Sequence, residues 1–222
     1  MSFCFYRIDP SWRRLPKATR KKHGDELLGI ISAASNKLLV LTYSLVGLKA
    51  DVDFLIWRVA SVLDDLQAMS GAVRQTAMGG YLTMPYSYLS MTKRSTYQDR
   101  LDPDHAEARR VIRPFHSKYV FVYPFTKTSD WYQLPFDQRQ KMMDEHIALG
   151  NTYPSVRIHT TYSFGLDDQE FVLAFETDSP KDFLDLVMEM RESKARPFTL
   201  RDTPIFTCVA KPLASILKDI GG

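Results

Sequence analysis

The sequence predicts an α+β fold in which two tandem ferredoxin-like units form a dimeric-type α+β barrel. The main observation is an internal repeat, because residues 42–57 (beginning Thr-Tyr-Ser-Leu-Val-Gly-Leu) return as residues 161–175 (beginning Thr-Tyr-Ser-Phe-Gly-Leu). Each copy is an apolar strand, a turn that contains glycine and a second apolar strand, which predicts a β-hairpin. The length of 222 residues suits one large domain or two small ones. The same order of helices and strands also surrounds each hairpin.

The first half of the chain reads as a strand, a helix, the hairpin, a second helix and a last strand. The predicted elements are a strand at residues 3–7, a helix at 26–35, a helix at 60–76 and a strand at 86–91. With the hairpin between the two helices, this is the ferredoxin-like order of elements.

The second half repeats this order. Its predicted elements are a strand at 119–125, a helix at 135–149, a helix that starts at Pro180 and a strand at 205–210. Ser179, Pro180 and Asp182 supply an N-cap hydroxyl, a proline at the first helical position and a carboxylate at the third. We therefore divide the chain into an N-terminal ferredoxin-like unit (1–92), a basic linker (93–117) and a C-terminal ferredoxin-like unit (118–222).

The composition indicates an ordinary globular protein, with 45% hydrophobic and 25% charged residues. A net charge of +3 is too small for a dedicated nucleic-acid binder. Two cysteines, Cys4 and Cys208, suit neither a disulfide framework nor a thiolate metal cage. The N-terminal residues contain no long apolar run, so we expect no signal peptide, no membrane span and a cytoplasmic location.

The linker is polar and carries a cluster of basic residues: Lys93, Arg94, Arg100, Arg109, Arg110 and Arg113. Such a run is usually a solvated connection. It could instead form a wall of cations around an anionic ligand, and the charge pattern alone leaves both interpretations open.

His146 is distinguished from the other four histidines by its position on the predicted helix at 135–149. Met142, Met143 and Leu149 lie three or four residues away, so the imidazole falls on or beside the apolar stripe. A buried imidazole needs a hydrogen-bond partner or a metal. No second ligand has metal-cage spacing, which argues against zinc. A core histidine and the axial ligand of a haem iron both remain possible.

Tyr123 lies in an alternating strand and shares a face with Tyr119 and Phe121. Aromatic residues on a core face are usually only core. A buried phenol needs a polar partner, however, and Lys127 follows just past the strand end. Such a pair could serve acid–base or radical chemistry.

Residues 118–178 resemble the haem-binding half of the chlorite dismutase superfamily, and within it they look most like the coproheme decarboxylases. Four motifs carry this resemblance, and all occur in family order. They are Val122-Tyr-Pro124 with Lys127, Trp131-Tyr132, Glu145-His146 and Gly165-Leu-Asp-Asp168.

The resemblance implies an enzyme that uses hydrogen peroxide to decarboxylate two propionates of coproheme (iron coproporphyrin III) to vinyls, giving haem b. Coproheme would be substrate and cofactor. In this family the tyrosine at the position of Tyr123 forms a radical beside the reacting propionate. The lysine at the position of Lys127 assists proton delivery, and the histidine at the position of His146 is the weak proximal iron ligand. Arg109 and Tyr97 match groups that hold propionates. Four propionates would also give the basic linker a role.

Ile158 and Lys194 bear on the choice within the superfamily. Chlorite dismutases place an arginine at the position of Ile158 and lack the tyrosine matched by Tyr123. Many coproheme decarboxylases have glutamine at Ile158, and a one-residue shift would bring in His159 as a distal base. Lys194 occupies the place of a glutamate that bonds the proximal imidazole, for which Glu192 is a poor substitute. A haem-binding or haem-sensing protein without turnover is therefore the alternative, and chlorite dismutation is less favoured.

The resemblance also implies a homopentamer. A transient contact with a coproporphyrin ferrochelatase would supply coproheme.

Overall fold

The computed structural model describes residues 1–95, 97, 114 and 117–222. These residues form two compact units, one of residues 1–89 with 207–222 and the other of residues 90–206. The predicted division after residues 92 and 117 follows sequence order and stays a prediction. By packing, the last residues of the chain go with the first unit.

The first unit contains the strands β1 (Ser2–Ile8), β2 (Leu39–Ser44), β3 (Phe54–Val59) and β4 (Leu82–Leu89), and the helices α1 (Lys17–Ala34) and α2 (Leu63–Gln75). Its strands pair antiparallel in the order β4-β1-β3-β2. This is the predicted ferredoxin-like order. Helix α1 begins nine residues before the predicted start at residue 26, because its first turns are basic and lack an apolar stripe.

The second unit contains the strands β5 (Tyr119–Lys127), β6 (Arg157–Tyr162), β7 (Phe171–Thr177) and β8 (Thr199–Arg201). Its helices are α3 (Ser129–Gln133), α4 (Phe136–Asn151) and α5 (Pro180–Met190). The strands pair antiparallel in the order β8-β5-β7-β6. Helix α5 begins as predicted, since the Ser179 hydroxyl accepts a hydrogen bond from the backbone N–H of Asp182.

The chain ends with β9 (Phe206–Ala210) and α6 (Leu213–Asp219). Tyr43 and Ser44 of β2 pair with Ala210 and Val209 of β9. Leu213, Ile216 and Leu217 of α6 are buried in the core of the first unit, which explains why these residues belong to it.

Both repeats fold as the predicted hairpins. Gly47 and Gly165 lie in the two turns with φ angles of 76° and 69°. This left-handed conformation costs glycine little and strains other residues, so the shared glycine fixes both turns.

The α+β class and the ferredoxin-like units are therefore confirmed. Within the described part of the chain, no helix is both long enough and apolar enough to cross a membrane.

Candidate functional site

Tyr123 lies on one face of the sheet formed by the strands of the second unit. Strand register pairs Tyr123 with Leu173 and Phe121 with Phe175. The same Phe175 pairs with Ile158 on β6. Because paired residues lie on the same face of a sheet, Ile158 shares the face of Tyr123. Ile158 remains 47% exposed there.

His159 points to the opposite face, since it pairs with Ala174. Its imidazole is buried and lies 3.1 Å from the carboxylate of Glu176. The register therefore agrees with Ile158, and not His159, as the residue beside the Tyr123 face.

The Tyr123 side chain lies in the core of the second unit and stacks on Phe175, with ring centroids 5.7 Å apart. Burial raises the pKa of the phenol strongly, and the negative charge of Asp202 raises it further. Arg191 and Arg196 oppose this shift. The phenol therefore keeps its proton at neutral pH.

Two guanidinium groups next to this tyrosine share one carboxylate. Arg191 and Arg196 each donate a hydrogen bond of 2.6 Å to Asp202. Burial alone would raise the pKa of Asp202, but the hydrogen bonds and the charges of the two arginines together lower it. The cluster thus keeps a net positive charge near Tyr123.

Lys127 ends β5 in a half-buried position. Its ammonium donates to the carbonyl oxygen of Ala195 at 3.3 Å and lies 4.2 Å from the centre of the Trp131 ring. Burial lowers the pKa of this lysine to about 8, although Glu170 opposes the shift. At neutral pH the ammonium is charged and has a proton to give.

His146 lies on α4, and its Nδ1 atom is buried with no hydrogen-bond partner among the described residues. Burial, and secondly the charge of Lys127, lower the pKa of the imidazole to about 4. The ring is therefore neutral at physiological pH, which is the form that binds iron. Lys194 donates a hydrogen bond to Glu145 at 2.7 Å.

Tyr97 lies against the first turns of α4. Its ring stacks on Phe136 with centroids 5.6 Å apart and planes 9° from parallel. Arg139 donates to its phenol oxygen at 3.3 Å, and Gln140 donates to its carbonyl oxygen at 3.2 Å. Arg109, the other predicted propionate contact, lies outside the described residues.

A comparison with protein-family models matches residues 20–211 to the family described as "Chlorite dismutase". The chain belongs to the chlorite dismutase family. The family predicted from the motifs is thus confirmed.

Curated relatives within the family include coproheme decarboxylases. That of Mycolicibacterium smegmatis is 31% identical in an alignment of 186 residues that covers 82% of this chain and 78% of the relative. That of Staphylococcus carnosus is 32% identical in an alignment of 167 residues that covers 69% of this chain and 66% of the relative.

Solved structures agree with the family assignment. A mutant chlorite dismutase from Candidatus Nitrospira defluvii superposes with a TM-score of 0.91 at 28% identity, covering 100% of this chain and 94% of that one. A structure of the same protein in complex with imidazole gives a TM-score of 0.90 at 28% identity, with the same coverage. A haem-binding protein from Thermus thermophilus gives 0.89 at 24% identity, with the same coverage, which supports the fold alone.

The described residues of this chlorite dismutase-family chain contain no group of three or more histidine, cysteine, aspartate or glutamate side chains that could hold a metal ion. Burial keeps the His146 imidazole neutral, and a single neutral imidazole fits an iron that a porphyrin already holds. The site residues therefore fit a haem-type cofactor.

Sequence reasoning missed the cluster of Asp202 with its two arginines, and it missed Arg139. Arg191 and Arg196 read as solvent-facing residues near a helix end. The only signal in the sequence is an acidic residue that follows the two arginines. Asp202 lies eleven positions after Arg191 and six after Arg196.

Proposed function

We propose that this chain is a coproheme decarboxylase that uses hydrogen peroxide as oxidant and converts coproheme to haem b. One observation carries the proposal. Buried Tyr123 keeps its proton and lies on the strand that ends in Lys127, whose charge acts on His146. A tyrosine, a proton donor and a neutral imidazole on adjoining elements suit this reaction. The relatives named coproheme decarboxylase support the same conclusion.

Iron coproporphyrin III is the proposed substrate and cofactor, with haem b as the product that stays bound. His146 would hold the iron, while Tyr97 and Arg109 would hold propionates. When bound, the iron porphyrin supplies one-electron oxidation driven by hydrogen peroxide.

The stoichiometry of the reaction explains the need for a proton donor. Each propionate loses carbon dioxide, one proton and two electrons to become a vinyl group. Reduction of one hydrogen peroxide to two waters takes up those two electrons and two protons. Each decarboxylation therefore consumes one hydrogen peroxide and one proton overall.

Tyr123 and Lys127 divide this chemistry between them. Tyr123 would give one hydrogen atom to the peroxide-oxidised cofactor and take one from the propionate side chain, so its phenol is restored. The second electron of each decarboxylation would also pass to the oxidised cofactor as the bond to the carboxyl carbon breaks and carbon dioxide leaves. Lys127, with a pKa near 8, supplies the proton that each decarboxylation consumes and regains it from solvent.

Purified protein mixed with coproheme and titrated with hydrogen peroxide tests the proposal. Mass analysis of the porphyrins should show the stepwise loss of two carboxyl groups at a ratio of one peroxide per group. Tyr123→Phe should bind coproheme and form no product, while Tyr119→Phe, on the same strand face, serves as the matched control. Product formation by Tyr123→Phe at the wild-type rate would overturn the mechanism.

A second candidate is a haem-binding or haem-sensing protein without turnover. Two observations favour it. Lys194 pairs with Glu145, and His146 Nδ1 has no hydrogen-bond partner among the described residues. The imidazole therefore lacks the carboxylate partner that would strengthen it as an iron ligand. It predicts that haem b binds at least as tightly as coproheme and that peroxide causes only bleaching. Chlorite dismutation is less favoured, since apolar Ile158 shares the face of Tyr123.

The remaining features of the proposal rest on the family resemblance. They are a homopentamer, a transient contact with a coproporphyrin ferrochelatase and residues 118–222 as the haem-binding unit. The cytoplasmic location that the sequence predicts is proposed as well.

A further inference from the structure

Arg139 on α4 carries a positive charge that pairs with no carboxylate among the described residues. Its Nη1 atom donates to the Tyr97 phenol at 3.3 Å, and its Nε atom is buried without a hydrogen-bond partner within the described chain. Leaving a buried guanidinium donor unsatisfied costs free energy. An anionic group that accepted from Nε would recover that cost.

The position of Arg139 relates it to the candidate iron ligand. Arg139 precedes His146 by seven residues, so the two side chains leave α4 on nearly the same face, about 10.5 Å apart along the helix axis. The guanidinium is half-buried. It therefore lies two turns from the imidazole, where a ligand centred on His146 would present its rim.

The surroundings of Arg139 hold it in place. Tyr97 stacks on Phe136, and the Arg139 guanidinium carbon lies 5.6 Å from the centre of the same Phe136 ring. Gln140 anchors the Tyr97 backbone and also donates to Asp144. The phenol and the guanidinium thus form a fixed pair of donors.

We propose that Arg139 and Tyr97 together bind one carboxylate at the rim of the tetrapyrrole. The inference rests on the proposed function, because coproheme is the ligand that brings four such carboxylates. The Nε–H and a terminal N–H of a guanidinium form a planar fork that matches a carboxylate.

Binding of iron-free coproporphyrin III tests the site without any turnover. The Soret band of the porphyrin is followed during titration with wild-type protein, Arg139→Gln, Tyr97→Phe and Lys141→Gln. Lys141 is exposed on the same helix and makes the matched loss of one charge. Arg139→Gln should weaken binding about tenfold or more, and its affinity should depend less on salt concentration than that of the wild type. Lys141→Gln should bind as the wild type does.

The possible outcomes separate this inference from the proposed function. If the wild type binds and Arg139→Gln binds equally well, or if Lys141→Gln weakens binding as much, the Arg139 site is wrong and the proposed function stands. If the wild type binds coproporphyrin III neither with nor without iron, both are wrong. Should Arg139→Gln unfold, Arg139→Lys keeps the charge but loses the fork, and an affinity equal to that of the wild type would again reject the site.

Discussion

The charge of Lys127 acts on the imidazole of His146 and lowers its pKa, although the two residues lie on different elements and are nineteen positions apart. The same ammonium lies over the Trp131 ring, 4.2 Å from its centre. Lys127 is thus held at the end of β5 by Trp131 and by the carbonyl oxygen of Ala195. A candidate proton donor and a candidate iron ligand are therefore coupled before any cofactor is considered.

His146 should stay neutral across the physiological range. Its pKa of about 4 arises mainly from burial and secondly from Lys127, so nuclear magnetic resonance should show no titration of this ring between pH 5.5 and 8. Lys127→Met should raise the pKa yet leave it below the ordinary value, because burial remains. Lys118→Met removes an exposed charge at the other end of the strand and should change nothing. A His146 that titrates near pH 6.5 in the wild type would contradict the burial argument.

The same imidazole should make the stability of the protein depend on pH. Its pKa is lower in the folded chain than in the unfolded chain, so unfolded chains bind more protons between pH 6.5 and 4. The free energy of unfolding should therefore fall as pH falls through this window, by up to about 3 kcal/mol from this residue. Denaturant titration of His146→Gln should show a shallower decline than the wild type. Parallel declines in both proteins would argue against this assignment.

The decarboxylation rate should fall as pH rises through about 8, because burial lowers the Lys127 pKa to about 8 and the neutral amine has no proton to donate. Lys127→Arg keeps its charge above pH 8, so it should lose this alkaline limb even if its rate is lower. Lys127→Met should be slow at every pH. Initial rates measured from pH 6 to 10 with coproheme and peroxide check this, and an unchanged limb in Lys127→Arg would remove the lysine from the proton step.

Substitutions of Tyr123 should distinguish its role in catalysis from its role in stability. Its ring packs in a core with Phe175 and Phe183, so Tyr123→Ala should lower the free energy of unfolding by about 3–5 kcal/mol, as for a buried phenylalanine. Tyr123→Phe keeps the ring and should change stability by less than about 1 kcal/mol. Urea unfolding of both variants measures the difference. If both variants lost the same free energy of unfolding, the hydroxyl group of Tyr123, rather than the packing of its ring, would stabilise the core.

The residue at position 158 should determine whether the protein reacts with chlorite. The side chain is 47% exposed, so Ile158→Arg should fold with little loss of stability. It places a cation on the Tyr123 face, and the haem-loaded variant should release more oxygen from chlorite than the wild type, as an oxygen electrode would record. Thr160→Arg, two residues along the same strand face, is the control. Equal oxygen release by both variants would show that the position is not special.

The parts of this fold that follow from local chemistry could be predicted from the sequence. The glycine turns at Gly47 and Gly165 and the Ser179 cap are properties of a few neighbouring residues, and strand alternation predicts that His159 points to the face opposite Ile158. The proximity of Lys127 to His146 depends on how α4 packs on the sheet, which spacing along the chain does not encode. That pair could be named only through the family resemblance.

The missed residues were missed for the same physical reason. Arg139 looks like any surface arginine on a helix until Tyr97, more than forty positions earlier, is brought against it. The Asp202 cluster forms because the chain turns back after α5, and no periodic pattern marks that turn.

Helix α4 carries His146 and Arg139, yet of its residues, all of which the structure describes, only Gln140 is buried as a whole, while His146 and Arg139 are half-buried. Few apolar contacts therefore hold this helix, so its amide hydrogens should exchange with solvent sooner than those of β5. A porphyrin that touches both His146 and Arg139 would bridge two of its turns and slow that exchange. Because such a ligand binds only the folded chain, it also raises the melting temperature in proportion to the logarithm of its concentration. How long this protein survives in a cell would then depend on the supply of tetrapyrrole.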